Sequence, residues 1–265
     1  MRGLGAEVAL RAVWRLVALR VKWEIFFRLD ALFGFVGGLV QVAAGVLLFE
    51  AIYGRVQSIA GWSRAEALAL VGTLAILLEL ERALLRGMHH LPGAVEEGDL
   101  ELFLTRPVPT PLLLAFHRVN LRALWRLPLG IGVLAYAISL SPGIPGWRFP
   151  LYVLSLALSL GIYGLMVFCL VCLSFWLIRM QNLFWLVYDL SEFARYPAGV
   201  YRGAVRILLT TVLPLVVLAN TPVTLLFGRG QASLLLHQAL VLAGFAGLGT
   251  LLGRRGLRRY QGAGG

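Results

Sequence analysis

This 265-residue chain contains a single lysine, Lys22. A phosphate-binding P-loop needs G-x-x-x-x-G-K-[ST], with the lysine reaching the phosphates. Lys22 lies in LRVKWE, with no glycine loop before it. The chain therefore has no ATP site of that kind, and any ATP drive must come from another subunit. Cysteine is almost as scarce. Cys169 and Cys172 form a C-x-x-C inside an apolar run. Redox or metal chemistry would need access and further ligands, so they read as two small buried apolar side chains. The four histidines, His89, His90, His117 and His237, form no ligand cluster in sequence. Neither H-E-x-x-H nor G-x-S-x-G occurs. No zinc-finger, RNP or basic-zipper pattern points to nucleic acid. No catalytic, cofactor-binding or metal residue is assigned.

Charged residues make up only 14% of the chain, and no polar stretch is long enough to fold separately. The chain reads as one membrane domain over residues 1–265. The arginine-studded first residues lack a compact apolar core followed by a small-residue cleavage site, which predicts no cleavable signal peptide.

What the chain does have is long apolar runs bracketed by arginine. Apolar residues reach 59%, and mean hydropathy is +0.82. The clearest runs are Ala31–Tyr53, Ala65–Leu80, Phe149–Trp176, Ile207–Phe227 and Ala232–Leu252. Each is at or near the roughly 20 residues a helix needs to cross a hydrocarbon core of about 30 Å. An all-α, polytopic membrane protein with six transmembrane helices is expected.

Residues 1–30 mix Trp14 and Trp23 with Arg11, Arg15, Arg20, Lys22 and Arg28. That pattern suits an amphipathic helix on the membrane surface or a basic flank of the first span. The second span ends in Glu79, Glu81, Arg82 and Arg86. A third, from about Pro111 to Leu140, opens with Arg118, Arg122 and Arg126, which would form one stripe on an α-helix. Those arginines could snorkel to lipid phosphates or line a pathway. The region after Trp176 admits two readings. Either Gln181–Ala194 is a short fifth span followed by a re-entrant hairpin, or Arg206–Phe227 is itself the fifth span. Pro214 and Pro222 interrupt the latter run. The sixth span, Ala232–Leu252, is expected to stop at Arg254, Arg255, Arg258 and Arg259.

Both readings put the termini on one side. The positive-inside rule makes that side cytoplasmic, because the basic N-terminus, the Arg82–Arg126 region and the RRGLRR tail fall together. The net charge of +11 then marks segments lying against anionic lipid. Glu50, Glu79, Glu81, Asp189 and Glu192 lie in or near spans, where ionisable groups are functional candidates. Each sits near a span end or close to an arginine in sequence.

The segment Leu91–Pro111, LPGAVEEGDLELFLTRPVPTP, alternates acids with Val95, Leu100, Leu102, Phe103 and Leu104. On a short helix the apolar residues would pack down and the acids would face a partner. Arg106–Pro107 would end that helix.

These features together resemble the permease subunits of type 2 ABC (ABC-2) transporters, in a bacterial branch of that family. Three stretches carry the resemblance. Gly61–Thr73 (GWSRAEALALVGT) resembles the entry to the second span. Glu96–Val108 (EEGDLELFLTRPV) is similar to a cytoplasmic motif, here Gly98, Leu100, Glu101, Leu104, Arg106 and Pro107. Phe193–Arg229 resembles a tyrosine–proline segment leading to an asparagine-and-proline element, here Tyr196, Pro197, Tyr201, Asn220 and Pro222. Thr221 separates Asn220 from Pro222, a departure from the tighter pairing of polysaccharide-exporting relatives.

The resemblance implies a cytoplasmic coupling helix over 91–107, between spans two and three. Glu96, Glu97 and Asp99 would join the motif residues there in ATPase coupling. It also implies extracellular re-entrant helices over 196–228. It implies a separate ATPase subunit binding ATP and Mg, a second permease forming a dimer, export by alternating access, and a bacterial plasma (inner) membrane location. A gradient-driven secondary transporter or channel, or a non-transporting scaffold, is the alternative. Substrate is not legible.

Overall fold

Ser63 starts the helix around which the others assemble. Its side chain accepts from the Glu66 amide at 3.3 Å, and the Glu66 carboxylate accepts from the Ser63 amide at 2.7 Å. This reciprocal box satisfies two amides that a helix start would otherwise leave unpaired. The computed structural model of the chain describes residues 28–90, 119–141, 143–176, 187–231 and 233–259. The expected surface helix over 1–30 falls almost wholly outside them, as does the coupling segment 91–107.

Helix α1 is Arg28–Tyr53, and α2 is Arg64–Leu84. A 3-10 turn, Leu121–Arg126, leads into α3, Leu127–Ser139. Helix α4 is Arg148–Cys172 and continues as a 3-10 turn to Phe175. Helical residues 187–191 precede 3-10 turns at Glu192–Arg195 and Ala198–Val200. Helix α5, Gly203–Ile207, runs into a π turn at Leu208–Val212. Helix α6 is Leu215–Leu226, and α7 is Ser233–Arg259. No strand occurs among the described residues; Ile59 and Trp62 pair only as an isolated bridge in the α1–α2 turn.

Four of these helical stretches are long and apolar enough to cross a bilayer: Leu32–Tyr53, Leu121–Ser139, Arg148–Phe175 and Ser233–Arg258. The bent pair Gly203–Val212 and Leu215–Leu226 makes a fifth if it counts as one span. Helix α2 is not among them, because Arg64, Glu66, Glu79, Glu81 and Arg82 raise its charge. It is nevertheless the central helix. It packs against α1, α3, α4 and α6, and it is buried on nearly every side. Apolar burial all round is the mark of a helix enclosed by others.

The outer helices show the opposite pattern. On α1, Phe33, Val40 and Leu47 are 73%, 64% and 67% exposed. Spaced seven apart, they lie along one face. Leu236 and Leu240 of α7 are exposed likewise. These outward apolar stripes match a hydrocarbon surround.

Glycine sets the closest approach. A Cβ on Gly72 would lie 2.7 Å from the Leu134 amide nitrogen, and one on Gly130 would lie 2.9 Å from that of Ile76. The α2 and α3 backbones touch there, as small residues permit between spans.

One expectation needs correction. The arginines Arg118, Arg122 and Arg126 do not form a described α-helical stripe. Arg118 lies outside the described residues, and Leu121–Arg126 is a 3-10 turn. At about three residues per turn, positions four apart point in different directions. Arg254, Arg255, Arg258 and Arg259 lie on the last helix, which runs through Arg259. They end its apolar part only, since arginine is a good helix former.

Candidate functional site

Charged side chains of α2 lie against three other elements near the end of that helix. Glu79 and Arg82 stand one turn apart, and Arg82 donates to Glu79 Oε1 at 2.7 Å. Arg126, at the end of the 3-10 turn before α3, places Nε 3.3 Å from the same oxygen. Arg82 also donates to the Tyr188 hydroxyl and lies over its ring, 4.9 Å from the centroid. From α1, Gln41 donates to Tyr188 Oη at 3.1 Å and to Glu192 Oε1 at 3.0 Å. Glu192 forms an ion pair with Arg195.

These residues line one cleft with about 460 Å³ of space between its walls, its open mouth included. Apolar walls come from Val42, Val71, Leu74, Leu78 and Leu129. A Cβ on Gly38 would lie 2.5 Å from Arg126 Nε, so the guanidinium occupies the room the missing side chain leaves. Glu79 is only 7% exposed. Its Oε2, Arg126 Nε and Arg195 Nε are buried without a hydrogen-bond partner. Among the described residues, Arg82, Arg126 and Arg195 share this lining with Glu79 and Glu192. In low dielectric an incompletely paired charge is costly, so these pairs depend on one another.

At the opposite end of α2, Arg64 donates from Nε and Nη2 to Glu50 Oε1 at 3.0 and 2.8 Å, and from Nη2 to Tyr136 Oη at 3.1 Å. Arg229 donates to Glu66 Oε2 at 3.1 Å and lies 5.3 Å from the Trp62 ring centroid. These bonds gather the end of α1, the start of α2 and the turn before α7. The start of α1, the end of α2 and the end of α7 therefore lie together at the other end of the bundle.

The expected tyrosine–proline and asparagine elements meet. Asn220 Oδ1 accepts from the Ala198 amide at 2.7 Å, while Nδ2 donates to the Ala194 and Tyr196 carbonyls at 3.2 and 3.1 Å. Pro197 is buried within the turn that Asn220 holds. The Tyr196 ring lies tilted against Phe49, with centroids 6.0 Å apart, and Tyr201 donates to the Phe193 carbonyl at 2.8 Å. Pro222 lies inside α6. Leu213–Pro214 separates the bent pair, whose axes differ by 83°.

Of the other expected residues, Glu96, Glu97, Gly98, Asp99, Leu100, Glu101, Leu104, Arg106 and Pro107 lie outside the described residues. Arg122 is half-buried on the 3-10 turn, and Arg126 enters the cleft. Cys169 and Cys172 are free and buried. Among the described residues no group of three or more His, Cys, Asp or Glu side chains gathers as metal ligands.

Sequence reasoning did not single out Gln41, Tyr188 or Gln238. The signal for Gln41 was available: it is the lone polar side chain in GLVQVAAG. The same holds for Gln238, beside His237 in LLLHQALVL.

A central charged helix inside a ring of apolar ones defines a multi-pass helical membrane protein. The family model described as ABC-2 family transporter protein matches residues 39–264, and the chain belongs to that family. It is thus an ABC-2 type permease, the membrane component of a transporter rather than a catalyst. No curated protein and no solved structure matches the chain.

Proposed function

We propose that this chain is the transmembrane permease of an ATP-driven exporter, working as a dimer with a separate ATPase subunit. The family match over residues 39–264 carries the reading. Substrate would pass by alternating access between two permease copies, identical or related. ATP and Mg would be bound by the partner. The segment 91–107 would receive the ATPase, with Glu96, Glu97, Asp99 and Glu101 facing it.

In this reading the six spans are α1, α2, α3, α4, a fifth over Gln181–Ala194, of which residues 187–194 are described, and α7. Helix α6 has 12 residues, about 18 Å of rise, well short of the hydrocarbon thickness. With the 83° bend, this favours a re-entrant segment over 196–228. A freed backbone is tolerated at that depth where protein covers it, and α6 is buried along nearly its whole length. Both termini would be cytoplasmic in a bacterial plasma membrane, since the basic end of α7 lies with the start of α1.

The test is purification of the tagged protein from its native host in mild detergent, with mass spectrometry of every co-purifying chain. A stoichiometric P-loop ATPase is expected. A lone homo-oligomer that persists after crosslinking in the membrane would overturn the reading in favour of a gradient-driven carrier or scaffold.

A further inference from the structure

Glu81 is an acid that the end of α2 does not need for its own closure. The backbone already closes that turn, with the Leu85 amide donating to the Glu81 carbonyl at 2.7 Å. Yet Glu81 is only 4% exposed. A buried carboxylate is costly unless paired, and a buried ion pair adds little net stability. Its partner is His89, whose Nε2 lies 2.9 Å from Glu81 Oε1. His89 stands on the 3-10 turn Arg86–His90, where the chain leaves α2 for the segment 91–107.

The returning chain is tied to the same turn of α2. The Asn120 amide donates to the Ala83 carbonyl at 2.8 Å, and Val119 beside it is buried. The chain thus departs and comes back within two residues of one helix. The Glu81 side chain holds the departure, and the Ala83 backbone holds the return. Met88, between Glu81's two anchors and the departure, is buried as well.

Helix α2 is built to carry a displacement. It is enclosed by α1, α3, α4 and α6. Near its start, Glu66 accepts from Arg229 in the turn between α6 and α7, at 3.1 Å. Glu66 and Glu81 are fifteen positions apart on the helix, about 22 Å of rise. Each end of one rigid element therefore carries an acid that grips a different connection. Coupling over such a distance needs a packed element that both ends can bias.

We propose that Glu81 and His89 are positioning residues for energy coupling: their pair fixes the departing chain to α2, and α2 passes its displacement to the Glu66–Arg229 contact. This rests on the reading that 91–107 receives the ATPase.

Hydrogen exchange of the full permease–ATPase complex tests this, comparing nucleotide-free protein with protein trapped by ATP, Mg and vanadate. In wild type, trapping should change exchange over residues 59–66 and 224–231. E81L and H89A should each keep stoichiometric ATPase and normal nucleotide-free exchange, yet lose that change. The double variant should do no more than either single one, as expected of two residues acting through one pair. R254Q, which alters an exposed arginine on α7, should respond like wild type. A wild-type response in E81L and H89A would overturn the assignment. So would faster nucleotide-free exchange across 64–84 in both, because the pair would then only hold the fold. Loss of the response in R254Q would overturn it too. Bound ATPase without any response in wild type defeats this proposal alone, whereas a wild-type permease that carries no ATPase defeats the reading beneath it. If E81L is not monodisperse, H89A decides.

Discussion

Gln238 of α7 and Ser155 of α4 bond to each other in both directions. The serine hydroxyl donates to Gln238 Oε1 at 2.7 Å, and Gln238 Nε2 donates to the Ser155 carbonyl at 3.3 Å. The same nitrogen reaches Ser159 Oγ at 2.9 Å. All three side chains are fully buried, so the last helix is pinned to α4 by a closed polar cluster in an otherwise apolar seam. Replacing Gln238 with leucine keeps the bulk and removes the bonds. We expect a loss of about 1–2 kcal/mol, the upper range for hydrogen bonds between spans. Denaturant unfolding of the full chain in bicelles reads this. A double-mutant cycle with Ser155→Ala should show coupling, and additive effects would contradict the pairing.

Asn220 holds the turn between Ala194 and Ala198 with three hydrogen bonds. Asn220→Ala leaves two carbonyls and one amide without their partner, at a cost of about 1–3 kcal/mol. Limited proteolysis should then cut residues 196–203 faster than in the parent. Asn220→Asp keeps the acceptor but loses both donors, so it should not rescue. Rescue by aspartate would show that the Ala198 contact alone matters.

The backbone contact of α2 with α3 makes Gly72 intolerant of a methyl group. A Cβ there meets backbone atoms, which cannot rotate aside. Gly72→Ala should cost about 1–3 kcal/mol as overpacking. Gly132, also on α3, has nothing within 4 Å of its Cβ position. Gly132→Ala should be neutral or up to about 1 kcal/mol stabilising. Equal effects at the two sites, measured by thermal unfolding, would rule out the close approach.

The ATPase-docking proposal makes a separable prediction. Replacing Glu96, Glu97, Asp99 and Glu101 together with alanine should reduce co-purification of the ATPase while membrane insertion stays intact. Retention of stoichiometric ATPase with undiminished coupling would remove 91–107 from that role.

Much of the helical order follows from apolar run length. Ala31–Tyr53 and Phe149–Trp176 anticipate α1 and α4 within a few residues, because spans are bounded where charge begins. Helix α2 was anticipated too, from Ala65, but not as the centre of the bundle. Its burial depends on which helices surround it, and run length holds no record of that. The ion pairs show the same limit. Glu79 with Arg82 is a local pair, one turn apart. Glu79 with Arg126 joins positions 47 residues apart, and only the folded arrangement brings them together. The 3-10 turn at Leu121–Arg126 is indistinguishable from α-helix in sequence because its apolar and basic residues suit either. The break at Leu213–Pro214 was signalled by proline, yet its angle is set by the packing of α6 between α2 and α4.

Helix α6 has a further consequence for how the chain is assembled. At about 18 Å it is too short to rest in lipid as an independent span. Its stability comes from the walls that α2 and α4 provide, and those exist only after both helices are inserted and paired. The helix lies late in the chain, so most of its enclosure is synthesised before it. The segment therefore belongs to the second stage of membrane folding, docking into a partly built bundle, and defects in α2 or α4 should leave it stranded during biogenesis.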